Sequence, residues 1–183
     1  HLANAGVVPL VAQYVSLENE KDALTFTSAT LLIHYFFQGV TAYIIGKMVN
    51  RINLKKLLIL GHFVLPIRCT ILAVLVHFYD NPYIIISTQI LDGVGAGIYD
   101  TAIPLVVSRM VQNSGRFGFT FGFIITCWRI GHGFSLLLAE SVAQYSSYET
   151  AFITLGSIGI MSCILLIFGV HVPSKVKNNI PVI

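Results

Sequence analysis

Five stretches of about 20 residues or more, nearly free of charge, dominate this chain of 183 residues. A helix needs about that length of mostly apolar sequence to cross the hydrocarbon core of a bilayer. Inside lipid it must also satisfy its own backbone hydrogen bonds. The stretches run over about 25–49, 55–78, 83–110, 117–144 and 149–171, and a shorter one covers about 1–16. They lack alternating polarity and are too long for strands, which excludes a closed β-barrel. Breakers separate them at Asp80-Asn81-Pro82, at Asn113-Ser114-Gly115 and at the serines between Tyr145 and Tyr148. The expectation is an all-α membrane protein. A six-helix bundle with a truncated first helix occupies 1–172, and a short polar, basic tail covers 173–183.

Composition agrees. Hydrophobic types make up 55% of the chain and charged types 10%, against roughly a quarter charged in soluble domains. Eleven Lys and Arg with eight Asp and Glu cannot cover a soluble core, so a soluble enzyme, a disordered segment and a nucleic-acid partner are excluded. Cys69, Cys127 and Cys163 show no metal-ligand spacing and are expected to pack between helices as small hydrophobes. Pro9, Pro66 and Pro104 fall inside apolar segments and mark expected kinks. The chain opens at His1-Leu2-Ala3-Asn4 with neither an initiator Met nor a signal pattern, and is expected to be a piece of a longer polypeptide.

The few charges are placed asymmetrically. With six helices in succession, Lys47, Arg51, Lys55, Lys56, Arg109, Arg116, Lys175 and Lys177 fall on one side. Lys21 stands on the other, with Glu18, Glu20, Asp22, Asp80 and Glu149. The positive-inside rule then makes the basic side cytoplasmic, C-terminus included. Any N-terminal part would join the first helix from the cytoplasm.

The junction after the second segment reads Gly46-Lys47-Met48-Val49-Asn50-Arg51-Ile52-Asn53-Leu54-Lys55-Lys56. It resembles the loop signature of the major facilitator superfamily: Gly, three residues, Asp, a basic residue, any residue, Gly, any residue, then two basic residues. Gly46, Arg51, Lys55 and Lys56 match, while Asn50 replaces the acid and Asn53 the glycine. Leu2-Ala3-Asn4-Ala5 with Pro9-Leu10, Leu91-Asp92-Gly93-Val94-Gly95-Ala96-Gly97-Ile98 and Gly115-Arg116-Phe117 are similar to the same superfamily. The resemblance implies the C-terminal six-helix half of a twelve-helix carrier whose halves rock about a midplane site. Gly46 would let a neighbouring helix approach closely. Asn50 keeps a hydrogen bond but loses the acid's charge, so a latch to the fifth segment, which the family places there, would be weaker.

Ionisable residues at bilayer depth are costly and by default functional. Arg68, Asp92, Asp100 and Arg129 qualify. At about 1.5 Å per residue, Arg68 and Arg129 lie roughly 18–20 Å and Asp100 about 13 Å from the cytoplasmic boundary. Asp92 lies nearer the outer face. Two acids and two bases at such depths are expected to pair. The resemblance places the first, second, fourth and fifth helices around a central cavity, which makes Arg129 and Asp100 the site candidates and Arg68–Asp92 a structural ion pair. His34, Gln38 and Thr41 form one helical stripe with Tyr35 beside it; Trp128, His132 and Ser135 form another; His1 and Asn4 make a shorter pair. Gly93, Gly95 and Gly97 lack the strand and helix start of a phosphate loop and are expected to serve close helix packing, as is Gly118-x-x-x-Gly122.

The function expected is secondary active transport of a small solute by alternating access. Arg129 would bind an anionic or carboxylate-bearing group, and Asp100 or a histidine would carry a coupling proton. The expected partners are the N-terminal six-helix half, the lipid bilayer, the solute and a proton. No cofactor or metal is implied. A receptor or scaffold of the same fold is the alternative. An enzyme would need a nucleophile, a metal cluster or paired acids near an interface, and the sequence offers none.

Overall fold

The computed structural model describes residues 3–18, 22–48, 52–79, 81–112 and 114–169. Among the described residues seven helices follow one another: α1 (Val7–Glu18), α2 (Ala23–Met48), α3 (Leu54–Phe78), α4 (Pro82–Ser87), α5 (Gln89–Met110), α6 (Phe117–Tyr145) and α7 (Tyr148–Gly169). Five spans among the described residues are long and apolar enough to cross a membrane: α2, α3, α4 with α5, α6 and α7. His1, Asn50 and Arg51 lie outside the described residues, as do the tail from 170 onward and several of the charges that set the expected orientation.

Local chemistry sets the helix ends. Asn53 caps α3, its Oδ1 accepting from the backbone N–H of Lys55 (2.9 Å) and Lys56 (3.4 Å), a good use of Asn at this position. Asn81 caps α4 by accepting from the Tyr83 N–H at 3.0 Å, with Pro82 at the first helical position, where its missing N–H costs nothing. The span at 82–110 is interrupted at Thr88, whose hydroxyl bonds back to the Ile85 carbonyl at 2.7 Å. Competing side-chain bonds of this kind bend helices. The sequence reading had one unbroken helix there. Pro66 and Pro104 do lie inside helices. Pro9 sits in the first turn of α1, where no backbone bond is lost, so no kink follows there.

Helix α5 is wedged between α2 and α3; α7 lies on α3, α1 on α2, and α6 against α7. Glycine explains the wedge. A Cβ at Gly93 would lie 2.5 Å from the His34 carbonyl, and one at Gly97 2.5 Å from that of Gln38. Gly95 points the other way, against Val64 of α3. The three glycines thus let α5 approach two helices at once. Among the described residues the apolar core forms two clusters. One gathers Val7, Leu10, Val11, Leu72, Phe152 and Leu155 with their neighbours. The other joins Leu54, Leu57, Leu58, Ile98, Ala102 and Val106 of α3 and α5.

Close packing was also expected at Gly46, Gly118 and Gly122, and there the structure differs. No atom lies within 4 Å of a Cβ built at any of the three. They occupy outward faces of α2 and α6, the two long helices with the fewest buried residues. Cys127, expected to pack between helices, is exposed on α6, whereas Cys69 and Cys163 are buried.

Candidate functional site

A cavity of about 770 Å³ opens within the bundle. Its polar lining comes from Asn4 ahead of α1, His34 and Gln38 of α2, Asp92 and Asp100 of α5, and Trp128, Arg129 and His132 of α6. Helices α3 and α7 also reach it, through His62 and Ser162 among others, although the sequence reading had drawn its walls from the other four spans. The cause lies in α6, whose only buried residues are Ser135 and Ala139. It is held there by the Gly6 N–H, which donates to Ser135 Oγ at 2.9 Å. A Cβ at Gly6 would lie 2.5 Å from that of Ala139, so small residues let α6 come close at this one level. It also packs on α7 but meets α5 sparsely, and the cavity between them extends to α3 and α7.

On one wall, charges are neutralised by close contact. Arg68 is fully buried and Asp92 only 3% exposed. Arg68 Nη1 lies 2.6 Å from Asp92 Oδ1, and His34 Nδ1 lies 2.6 Å from Asp92 Oδ2. Arg68 Nη2 donates to Gln89 Oε1 at 3.0 Å. Two helical turns from Asp92, Gln38 Nε2 donates to Asp100 Oδ2 at 2.6 Å. The pairing of α2 with α5 that Gly93 and Gly97 permit is what brings His34 to Asp92 and Gln38 to Asp100. Thr41, third in the α2 stripe, packs against Gly97 rather than lining the cavity.

The opposite wall is open. Arg129 is exposed and, among the described residues, makes no hydrogen bond or ion pair. Asp100 takes Gln38 rather than an arginine as its neighbour, so of the two acid–base pairings expected only Arg68–Asp92 is formed. Tyr99 bridges the walls, its ring 4.9 Å from that of His62 and 5.9 Å from that of Trp128. Asn4 Oδ1 is buried with no partner among the described residues; Asn4 lies in the turn before α1, not on the helix.

Sequence reasoning missed Gln89, His62 and Tyr99. Gln89 was legible: it precedes Asp92 by three residues, the spacing of one helix face. His62 and Tyr99 carry no such signal, because they meet only through the packing of α3 on α5. In the loop signature, Asn53, which departs from the family's glycine, is the α3 cap. Lys55 reaches across to the end of α7, donating from Nζ to the Ile167 carbonyl at 3.1 Å. That is a favourable placement of a cation at a helix C-terminus. Lys56 and Gly46 are exposed. No group of His, Cys, Asp and Glu among the described residues could hold a metal ion.

Comparison with known proteins agrees with this architecture. The family model described as Major Facilitator Superfamily matches residues 2–181. The chain belongs to the major facilitator superfamily. Within it, the chain is 29% identical over its whole length to an uncharacterised MFS-type transporter of Mycobacterium tuberculosis, of which it covers 42%. It is 29% identical over 86% of its length to sugar phosphate exchanger 3 of Xenopus laevis, covering 31% of that protein. It is 26% identical over 87% of its length to the proton-coupled antiporter flippase LtaA of Staphylococcus saprophyticus, covering 38%. The chain therefore spans about two fifths or less of the length of these relatives. No solved structure matches it significantly. Family and apolar spans together make it part of an integral, multi-pass membrane protein, with the fold of one superfamily half.

Proposed function

We propose that this chain is the C-terminal half of a secondary transporter that moves a small anionic solute by alternating access, its basic side and C-terminus cytoplasmic. One observation carries the reading: polar residues of α1's approach, α2, α5 and α6 converge on a single cavity in which the Arg129 guanidinium has no partner among the described residues. A guanidinium at that depth offers paired donors to a carboxylate or phosphate, and no carboxylate among the described residues pairs with it. The lining fits a solute of mixed character. Tyr35, Tyr99 and Trp128 supply apolar faces, and Asn4, His132 and Asp100 supply polar ones. Asp100 or a cavity histidine carries the coupling proton. The names of two relatives, a sugar phosphate exchanger and a proton-coupled antiporter, agree with an anionic solute and with a proton as partner. The other half of the cavity wall belongs to the N-terminal helices of the full-length protein.

The test is uptake of a panel of sugar phosphates and carboxylates by the full-length carrier in proteoliposomes. Arg129→Ala is expected to lower uptake about 10- to 100-fold, the worth of a charge-assisted bond of about 1.5–3 kcal/mol. Uptake at the wild-type rate would remove Arg129 from the site.

A further inference from the structure

Among the described residues, the charged side chains that line the cavity are Asp92, Asp100 and Arg129. Asp92 is already compensated, since Arg68 Nη1 lies 2.6 Å from its Oδ1. That leaves one charge of each sign, and Asp100 and Arg129 do not pair with each other. Yet they share a level. Asp100 follows Tyr99 and Arg129 follows Trp128, and these two rings meet edge to face at 5.9 Å. One residue is about 1.5 Å of helix, so the two charges leave α5 and α6 beside that contact. Both side chains are exposed on the cavity.

We propose that the solute carries an ammonium group as well as its anionic group, and that Asp100 receives the first while Arg129 receives the second. This deepens the transport reading above and rests on it. When the two halves close over a solute, water leaves, and each remaining charge needs a counter-charge inside the site. A plain anion compensates Arg129 but brings a second negative charge up to Asp100. A molecule bearing both charges compensates both. Gln38 does not do this for Asp100, because its amide holds Oδ2 at 2.6 Å without cancelling the charge. Asp100 Oδ1 has no partner among the described residues. With Asp100 on the ammonium, the cavity histidines are left for the coupling proton.

Hydrogen-bonding capacity points the same way. Asn4 Oδ1 is buried and has no partner among the described residues, and an amide oxygen only accepts. Asn4 and Asp100 therefore present open acceptors to one cavity. A carboxylate, itself an acceptor, satisfies neither of them. An ammonium brings three N–H donors. An acceptor left unmet in a closed site is costly, so these oxygens select for donors as well as bind them. The rings of Tyr99 and Trp128, at the level of the two charges, offer apolar surface to the carbon skeleton that joins the solute's ends.

Matched probes test this on the full-length carrier in lipid nanodiscs at neutral pH. Glutarate is compared with glutamate, and ethyl phosphate with phosphoethanolamine, each pair differing by one ammonium. Affinity is read by isothermal titration calorimetry. In at least one pair the ammonium-bearing member is expected to bind about 10- to 100-fold tighter than its partner. Asp100→Asn is expected to abolish that advantage, while affinity for the anion-only member holds or rises because a negative charge has left the site. Arg129→Ala is expected to weaken both members. Equal binding within both pairs, an advantage that survives Asp100→Asn, or an equal loss for both members in that variant overturns the proposal. So does a parent that binds none of the four probes. The transport reading falls on different results: no uptake of the anion panel, or uptake by Arg129→Ala at the wild-type rate.

Discussion

Helices α5 and α6 each carry a glycine pair at four-residue spacing and an ionisable residue at membrane depth. On α5, Gly93 and Gly97 lie against the backbone of α2, and Asp92 and Asp100 both hold partners. On α6, Gly118 and Gly122 face open space, and Arg129 has no partner among the described residues. The same residue types therefore serve opposite ends. Small residues on α5 have been used to bring helices together, and its charges are anchored by the contact. Those on α6 leave a bare face, and its charge is available. A membrane charge that is already satisfied holds structure; on the function proposed above, Arg129 is left to hold the solute.

The comparison breaks most visibly at the buried ion pair. Asp92→Ala leaves Arg68 buried without a counter-charge and is expected to cost about 3–5 kcal/mol. Arg129→Ala is expected to change stability by less than about 0.5 kcal/mol. Thermal unfolding of the full-length protein in detergent compares the two, and equal losses would erase the distinction between held and available charge. Next in size is the glycine contrast. Gly97→Val must push against the Gln38 carbonyl, a loss of about 1–3 kcal/mol, whereas Gly122→Val on the same assay stays within about 0.5 kcal/mol unless the other half of the protein packs there. A large loss at Gly122 would locate that contact. The smallest effect sharpens the attachment of α6. Ser135→Ala strips the Gly6 N–H of its acceptor, worth about 1 kcal/mol, and hydrogen exchange is expected to speed up at Gly6 with little change along α5.

How much of this was legible from the residues follows from what kind of information each feature needs. Span positions need only composition along the chain, and they emerged within a few residues of the observed helices. The break at Thr88 did not, because a hydroxyl folding back on a carbonyl looks like any other threonine in an apolar run. Arg68 with Asp92 could be paired from depth and charge alone. That His34 completes the unit could not, since it depends on Gly93 admitting α2 to within backbone contact. Asp100 and Arg129 were natural partners by charge, but α6 stands away from α5 and Gln38 lies one stripe closer. Asn53 looked like a flaw in a family signature; its use as a cap appears only once α3 begins beside it. Helix-level facts were local, and the site is a product of which faces meet.

The buried pair also has a consequence for how the chain enters the membrane. Arg68 lies on α3 and its counter-ion on α5, roughly two dozen residues later in synthesis, which is on the order of one to five seconds at ordinary elongation rates. An arginine at the centre of an inserting helix is penalised by about 2.5–3.5 kcal/mol. During that interval α3 must lodge with an uncompensated cation, held in place by its leucines and isoleucines. Its stable residence in lipid thus waits on a helix not yet made, and the order of synthesis becomes part of the protein's design.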